Sequence, residues 1–261
     1  MKRRSFLKNS AVAAGVTLTA GATANAAKNS IPGLEKDFYE LREYQLTNRG
    51  GTKQLGDFYR EAVIPFLNKK GAKVGAFQEY GMEEPPKIYV LHAFKTPEDY
   101  FSAAMEMKTD KNFVEAAKTF YAIPADRPVY ERYQTFLATA FDSIPQLKMP
   151  DKNRGLFELR TYESYNEDAG YRKIKMFNDE ELPLFEKTGL HPVFFGRLLA
   201  GDYMPALAYM LWFKDMDERN ANWEKFGSSD EWNKMKNKEI YADTVSKVKK
   251  KFLVPLEFSQ I

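Results

Sequence analysis

Residues 38–46 place Tyr39, Leu41 and Glu43 on one side and Glu40, Arg42 and Tyr44 on the other, which predicts a strand with two unlike faces. Leu55, Phe58, Tyr59, Ala62, Val63, Phe66 and Leu67 then recur three and four apart, an amphipathic helix over 53–69. Pro65 is expected to kink that helix and Gly71 to stop it. Residues 73–80 and 87–95 read as strands joined by a Gly-Met-Glu-Glu-Pro-Pro turn. Thr96-Pro97-Glu98-Asp99 starts a helix, with Thr as cap and Pro in the first turn. A further helix over about 110–121 leads to a strand over 129–137.

The same string is then written again. Tyr39-Glu-Leu-Arg-Glu-Tyr44 recurs as Phe157-Glu-Leu-Arg-Thr-Tyr162, and Ile64-Pro65-Phe66-Leu67 as Leu182-Pro183-Leu184-Phe185, both at an offset of 118. Gly71 matches Gly189 and Phe77 matches Phe195. One residue further out of step, Phe94-Lys95 matches Phe213-Lys214 and Phe113 matches Trp232. The second copy is expected to start a helix at Asp215–Glu218, continue with a helix over 229–250 and finish on a strand over 252–259. The chain therefore reads as two homologous domains, 36–140 and 154–261, with a Pro-containing polar linker over 141–153.

Each copy runs β-α-β-β-α-β, the ferredoxin-like split unit, so the fold class is α+β. One such unit covers a single face of its sheet with helices, and the other face needs a cover. Two copies supply it by facing each other as a pseudo-two-fold dimeric α/β barrel. On this reading the Tyr/Phe-plus-Leu face meets the helices, and Glu40, Arg42, Tyr44, Glu158, Arg160 and Tyr162 look between the sheets. Three roles for those residues stay open. They could pair with one another and fix register, since a buried charge is costly unless paired. The arginines could instead hold a carboxylate or other anion in a lumen. Or the face could sit at a solvated sheet rim. His92, mid-strand beside Val90 and Phe94, joins them as a ligand-binding candidate, although a satisfied core histidine fits it better: the second copy has Leu211 there. His191, before Pro192, reads as a surface loop residue. Trp212, Trp223 and Trp232 read as packing residues.

Composition narrows the chemistry. Of the 261 residues 44% are hydrophobic and 15% aromatic, which excludes a disordered chain. There is no cysteine, which excludes disulfides, Cys-ligated zinc, iron–sulfur clusters and thiol nucleophiles. With two histidines, His92 and His191, no metal site is expected. Neither a nucleotide-binding glycine pattern nor Gly-x-Ser-x-Gly nor His-Glu-x-x-His occurs. Residues 1–27 have the layout of an export signal: a basic start, a mild Ala/Val/Thr/Leu stretch and Ala24-Asn25-Ala26. Arg3-Arg4 followed by Ser5-Phe6-Leu7-Lys8 resembles the twin-arginine consensus, which implies a bacterial protein exported already folded to the periplasm or beyond. The apolar run is too short and mild to span a membrane, so no stable insertion is expected after cleavage. The net charge of +3 rests on Lys2, Arg3, Arg4 and Lys8, so the rest of the chain is near neutral and no nucleic-acid binding is expected. Lys247, Lys249, Lys250 and Lys251 read as the solvated end of a helix, with phosphate binding the alternative.

The twice-written Tyr/Phe-Glu-Leu-Arg-x-Tyr opening resembles the NIPSNAP family, as do the Ile/Leu-Pro near the end of the first helix and the Ser-Asp-Glu-Trp start at 229–232. The resemblance covers about 38–258 and implies the dimeric α/β-barrel fold. It does not imply one settled activity. The wider superfamily includes cofactor-free monooxygenases, haem-degrading enzymes, dismutase-like peroxidases and small-molecule-binding regulators, an analogy of fold alone. Haem-handling relatives need a well-placed histidine, for which only His92 could serve, so no cofactor is expected. The reading that follows is a protein binding a small organic ligand, neutral or anionic, between its sheets. The alternatives are a structural or interaction module with a packed lumen and a cofactor-free monooxygenase or isomerase. A further homo-oligomer stays open.

Overall fold

A computed structural model describes residues 36–48, 50–81 and 86–261. The expected signal at 1–27 lies outside the described residues. The first half contains β1 (Phe38–Leu46), α1 (Gly50–Phe58), a π-helical turn (Tyr59–Val63), α2 (Ile64–Lys69), β2 (Lys73–Glu79), β3 (Lys87–Phe94), α3 (Pro97–Glu106), α4 (Lys111–Ala116), α5 (Lys118–Tyr121) and β4 (Tyr130–Ala140). The second half contains β5 (Leu156–Glu163), α6 (Glu167–Met176), a π-helical turn (Phe177–Glu181), α7 (Leu182–Thr188), β6 (His191–Ala200), β7 (Ala206–Phe213), α8 (Met216–Ser228), α9 (Asp230–Met235), a 3₁₀ turn (Glu239–Tyr241) and β8 (Lys247–Pro255).

The predicted helical stripe is buried as spaced: Leu55, Tyr59, Ala62, Val63, Phe66 and Leu67 are each at most 3% exposed. The expected proline kink takes the form of a widened turn. Pro65 offers no N–H and its ring crowds the carbonyl four residues back. The helix answers by passing through a π turn, in which the Ile64 N–H reaches the Tyr59 carbonyl. The second half repeats this around Pro183, where the Leu182 N–H reaches the Phe177 carbonyl. Gly71 and Gly189 then adopt the left-handed conformation expected of helix stops, at φ 77° and 78°. Thr96 caps α3 through the Asp99 N–H, and Asp215 caps α8 through the Glu218 N–H.

The strands close into an antiparallel barrel in the order β1-β3-β2-β8-β5-β7-β6-β4. Each half contributes one ferredoxin-like sheet, and the halves meet at the β2–β8 and β4–β6 seams. Both seams are short, and the chain extends each of them. Beyond β8, Leu256 and Gln260 donate to the carbonyls of Ala76 and Val74 on β2. Beyond β4, Phe141 and Lys148 donate to Phe195 and Val193 on β6. The stretch 141–153, expected as a linker, is therefore partly a strap along β6, and it is pinned by Asp37 and Leu147. Leu147 and Ile261, carried on these two extensions, both pack into the barrel interior.

Two expectations fail here. The second copy has no helix over 229–250: α9 stops at Met235, and β8 begins at Lys247 rather than 252. Lys247, Lys249, Lys250 and Lys251 thus lie on a strand, and Lys249 and Lys251 gain ion pairs with Glu163 and Glu79 at 2.7 and 2.6 Å. His191 is the first residue of β6 rather than a loop residue, stacked on Trp212 with centroids 4.6 Å apart.

The third correction decides where a site can be. Tyr39, Leu41, Phe157 and Leu159 face the barrel interior, with Leu91, Ala138, Phe194 and Met210. The Glu-Arg-Tyr face looks outward, beneath the helices, where Tyr44 joins the cluster of Leu55, Tyr59 and Phe66, and Tyr162 that of Phe177 and Phe185. Both faces of the sheets are buried, so an apolar Tyr-x-Leu row suits either layer, and the polar row is accepted under the helices because it is hydrogen-bonded there.

Candidate site in the barrel lumen

Alternation brings one residue in two from every strand into the lumen. Where those residues are small, as at Ala138 and Ala208, room is left. A cavity of about 280 Å³ opens there, walled by Tyr39, Leu41, Phe136, Leu159, Phe194 and Leu198. That is the room of about nine waters at ~30 Å³ each, near the lower limit for small-molecule sites. Phe77, Phe157, Leu253 and Ile261 belong to the same interior cluster but do not line the cavity; Phe77 and Phe157 pack with rings 4.7 Å apart.

The mouth lies where β1 and β5 end and β3, β4, β7 and β8 begin. Glu43, Lys87, Gln134, Thr161, Tyr203, Lys249 and Lys251 line it. Charges there are matched: Lys87 pairs with Glu43 at 2.7 Å, Lys249 with Glu163, and Lys251 with Glu79. Tyr89 donates to Glu79 Oε1 at 2.9 Å, the oxygen that Lys251 also meets, while Glu79 Oε2 is buried with no partner. Deeper in, Tyr39 is 1% exposed and its hydroxyl has no partner. Burial first, and then the charge of Asp37, push its ionisation far above that of an ordinary phenol, so it stays an O–H donor. An unsatisfied buried hydroxyl costs about 1–3 kcal/mol.

The residues singled out from the sequence do gather, but half by half and outside the barrel. Around Glu40, Oε2 accepts from His92 Nδ1 at 2.8 Å, while Oε1 accepts from Arg42 Nε and Thr135 Oγ1 at 2.9 Å each. Arg42 Nη1 donates to the Tyr44 hydroxyl at 3.2 Å, and that hydroxyl meets Tyr59 at 2.9 Å. Burial alone would raise the Glu40 carboxyl; the hydrogen bonds and charge from His92 and Arg42 outweigh it and hold the group near about 2. Burial pushes the His92 ring down, and because a carboxylate only accepts, it is Nδ1–H that donates to Glu40. Its Nε2 is buried without a partner.

In the second half Arg219 of α8 donates to both oxygens of Glu158, at 2.9 and 3.0 Å, and Trp223 Nε1 donates at 2.8 Å. Arg160 stands 3.7 Å from Glu158 with its guanidinium 4.3 Å from the Trp223 ring centre. Tyr162 meets the Tyr209 hydroxyl at 2.9 Å. The barrel wall separates all seven candidates from the lumen. The lumen residues carried a signal, their shared parity with Leu41 and Leu159, but no motif. Among the described residues no group of three or more His, Asp or Glu side chains is placed to hold a metal, and no helix is long and apolar enough to cross a membrane.

Residues 157–260 match the family model described as NIPSNAP. A comparison with curated proteins gives no match. Among solved structures, a protein of Lactobacillus acidophilus NCFM described as a candidate monooxygenase is similar over 85% of this chain and 94% of its own, at 10% identity and a TM-score of 0.55. One from Fusobacterium nucleatum with the same description is similar over 85% and 93%, at 12% identity and a TM-score of 0.54. A NIPSNAP family protein of unknown function from Agrobacterium tumefaciens C58 matches 42% of this chain over 96% of its own length, at 18% identity and a TM-score of 0.38. The first two likenesses are of fold: one chain here forms the whole α+β barrel.

Proposed function

We propose that the barrel of this chain, whose residues 157–260 match the NIPSNAP family model, binds a small, largely apolar organic molecule in the lumen. The observation that carries this reading is the cavity itself, lined by apolar side chains and by Tyr39, whose buried hydroxyl has no partner. A ligand of this kind lays its body against Leu41, Phe136, Leu159 and Phe194 and offers an acceptor to Tyr39. An anionic group on it would stay at the mouth, near Lys87, Lys249 and Lys251. The lumen is not packed solid, which favours this over a purely structural module. The role once expected of Arg42 and Arg160 passes to residues on the opposite face.

The test is native mass spectrometry of the purified protein beside its Ala208→Phe and Tyr39→Phe variants. A co-purifying small molecule should be held by the wild type, excluded by Ala208→Phe and retained more weakly by Tyr39→Phe. Equal occupancy in the wild type and Ala208→Phe would refute the lumen site. The signal-like layout of residues 1–27 supports a place of action outside the cytoplasm. Replacing Arg3-Arg4 by Lys-Lys should then keep the protein in the cytoplasm, and periplasmic protein with Met1 intact would contradict cleavage near Ala27.

A further inference from the structure

The turn between β6 and β7, residues 201–205, lies at the mouth of the lumen. Its two ends are fixed. Ala200 pairs with Leu137 on β4, and the Pro205 carbonyl accepts from the Ser164 N–H just beyond β5. Between them, among the described residues, the backbone of Asp202, Tyr203 and Met204 makes no hydrogen bond to other backbone groups. Three consecutive residues rest instead on side chains that line the cavity. Gly201 lies against Phe136: a Cβ there would fall 2.5 Å from the Phe136 ring, so glycine is what lets the turn come this close. Asp202 Oδ2 accepts from Gln134 Nε2 at 2.9 Å. Tyr203 lines the cavity itself, and its ring centre is 2.9 Å from the Lys249 ammonium.

The barrel order makes this last contact informative. β7 and β5 stand between β6 and β8, so the Tyr203 ring meets Lys249 across the opening rather than along the wall. The closed position is also held rather than relaxed. Tyr203 has φ 65°, the left-handed region that any residue with a Cβ enters at a cost. Both contacts that keep it there are side-chain contacts at the surface, and Tyr203 is 58% exposed. When the ring leaves, Lys249 keeps its ion pair with Glu163 at 2.7 Å, so opening strands no charge. A segment with few contacts and backbone strain belongs to the low-stability end of a fold.

We infer that residues 201–205 form a lid over the lumen, with Tyr203 as the side chain that closes it. Closed, the ring lies on Lys249 and shields an apolar body below it from water. Open, it leaves an entrance bordered by Gln134, Thr161 and Lys249. The inference rests on the reading of the lumen as the binding site and adds how that site is entered.

The test uses the absence of cysteine from the chain. Ala208→Cys puts a single thiol on the lumen wall, and its alkylation by iodoacetamide, followed by intact mass, reads access to the lumen without any ligand. Met105→Cys, on the exposed side of α3, is the reference. The lumen thiol should react far more slowly than the reference. Adding Tyr203→Ala should speed it by about three- to thirtyfold, the worth of a cation–π contact, and Tyr203→Phe should keep the slow rate. Asp202→Ala takes nothing from the mouth and only frees the turn, so it should speed the reaction too. The reference thiol should respond to none of these changes. The lid is overturned by a lumen thiol as reactive as the reference, or by an unchanged rate in Tyr203→Ala. An unchanged rate in Asp202→Ala would make Tyr203 a fixed part of the wall and overturn it as well. So would faster labelling of the reference, which would trace the effect to a general loosening. Because no ligand enters this assay, a protein that co-purifies with no small molecule would count against the lumen as a binding site and leave these rates to decide the lid by themselves.

Discussion

Glu40→Gln keeps the shape of the side chain at the centre of the first-half cluster and removes its charge. In the fold the carboxyl is held near about 2, against an ordinary 4.5: burial opposes ionisation, but His92 and Arg42 more than reverse it. At ~1.4 kcal/mol per pKa unit, the depression corresponds to about 3 kcal/mol of stability. Because the folded value is the lower one, this stabilisation is complete above about pH 4.5 and is lost as pH falls towards 2. By pH 3 about 2 kcal/mol of it has gone. Glu40→Gln has no such term and leaves Arg42 without its carboxylate, so it should be less stable than the wild type by about 3–5 kcal/mol at pH 7. Thermal melts of both proteins, followed by circular dichroism at pH steps from 7 to 2.5, should show the gap constant down to about 4.5 and then closing. For a fold of this size 1 kcal/mol is about 2–4 °C, so the gap should narrow by about 4–8 °C by pH 3. A gap that stayed constant to pH 2.5 would mean that Glu40 is not a depressed carboxylate.

The seams and the second-half cluster give further tests. A Cβ added at Gly196 would land 2.8 Å from that of Ala138 across the β4–β6 seam, so Gly196→Ala should cost about 1–3 kcal/mol in denaturant unfolding; an unchanged midpoint would show that the seam relaxes freely. Arg219→Met leaves Glu158 with one close donor and a more distant arginine, and should cost about 3–5 kcal/mol; a loss under 1 kcal/mol would assign the clamp to Trp223 alone. Residues 36–140 produced alone would bare Tyr39, Leu41, Leu91 and Ala138, an apolar sheet face that should drive dimers or aggregates in size-exclusion chromatography. A monomer that melts cooperatively would contradict the need for the second sheet.

Periodicity and punctuation carried much of the fold. The stripe from Leu55 to Leu67, the glycines at 71 and 189 and the caps at Thr96 and Asp215 are local statements, and each is met locally. The inward face was not legible in the same way. Alternation separates Tyr39-Leu41 from Glu40-Arg42, but a barrel wall with helices outside buries both rows, so polarity does not say which row is inner. Lys247 to Lys251 misled for a related reason: on β8 their partners, Glu163 and Glu79, come from strands far away in sequence. The lumen has no motif because its room comes from small residues such as Ala138 and Ala208, and space is not written in any one position. The different fates of Glu40 and Glu158 rest on Arg219 and Trp223, whose reach towards the sheet no spacing announces.

The two reciprocal straps bear on how the molecule comes into being. As the chain is synthesised from its start, β1 to β4 are complete while the outer edges of β2 and β4 still lack partners, and such edges invite pairing between chains. The edge of β4 waits for β6. The edge of β2 waits longer, for β8 and the stretch beyond it: the Lys251–Glu79 contact joins residues 172 apart. Closure over such a distance must repay a large loop entropy before it yields any contact, which makes it a slow and late event. The nascent first sheet therefore waits through the synthesis of the second half as an adhesive intermediate. A substitution that weakens the β2–β8 seam should show itself first as lost yield in the cell, before any change in the properties of the protein that does fold.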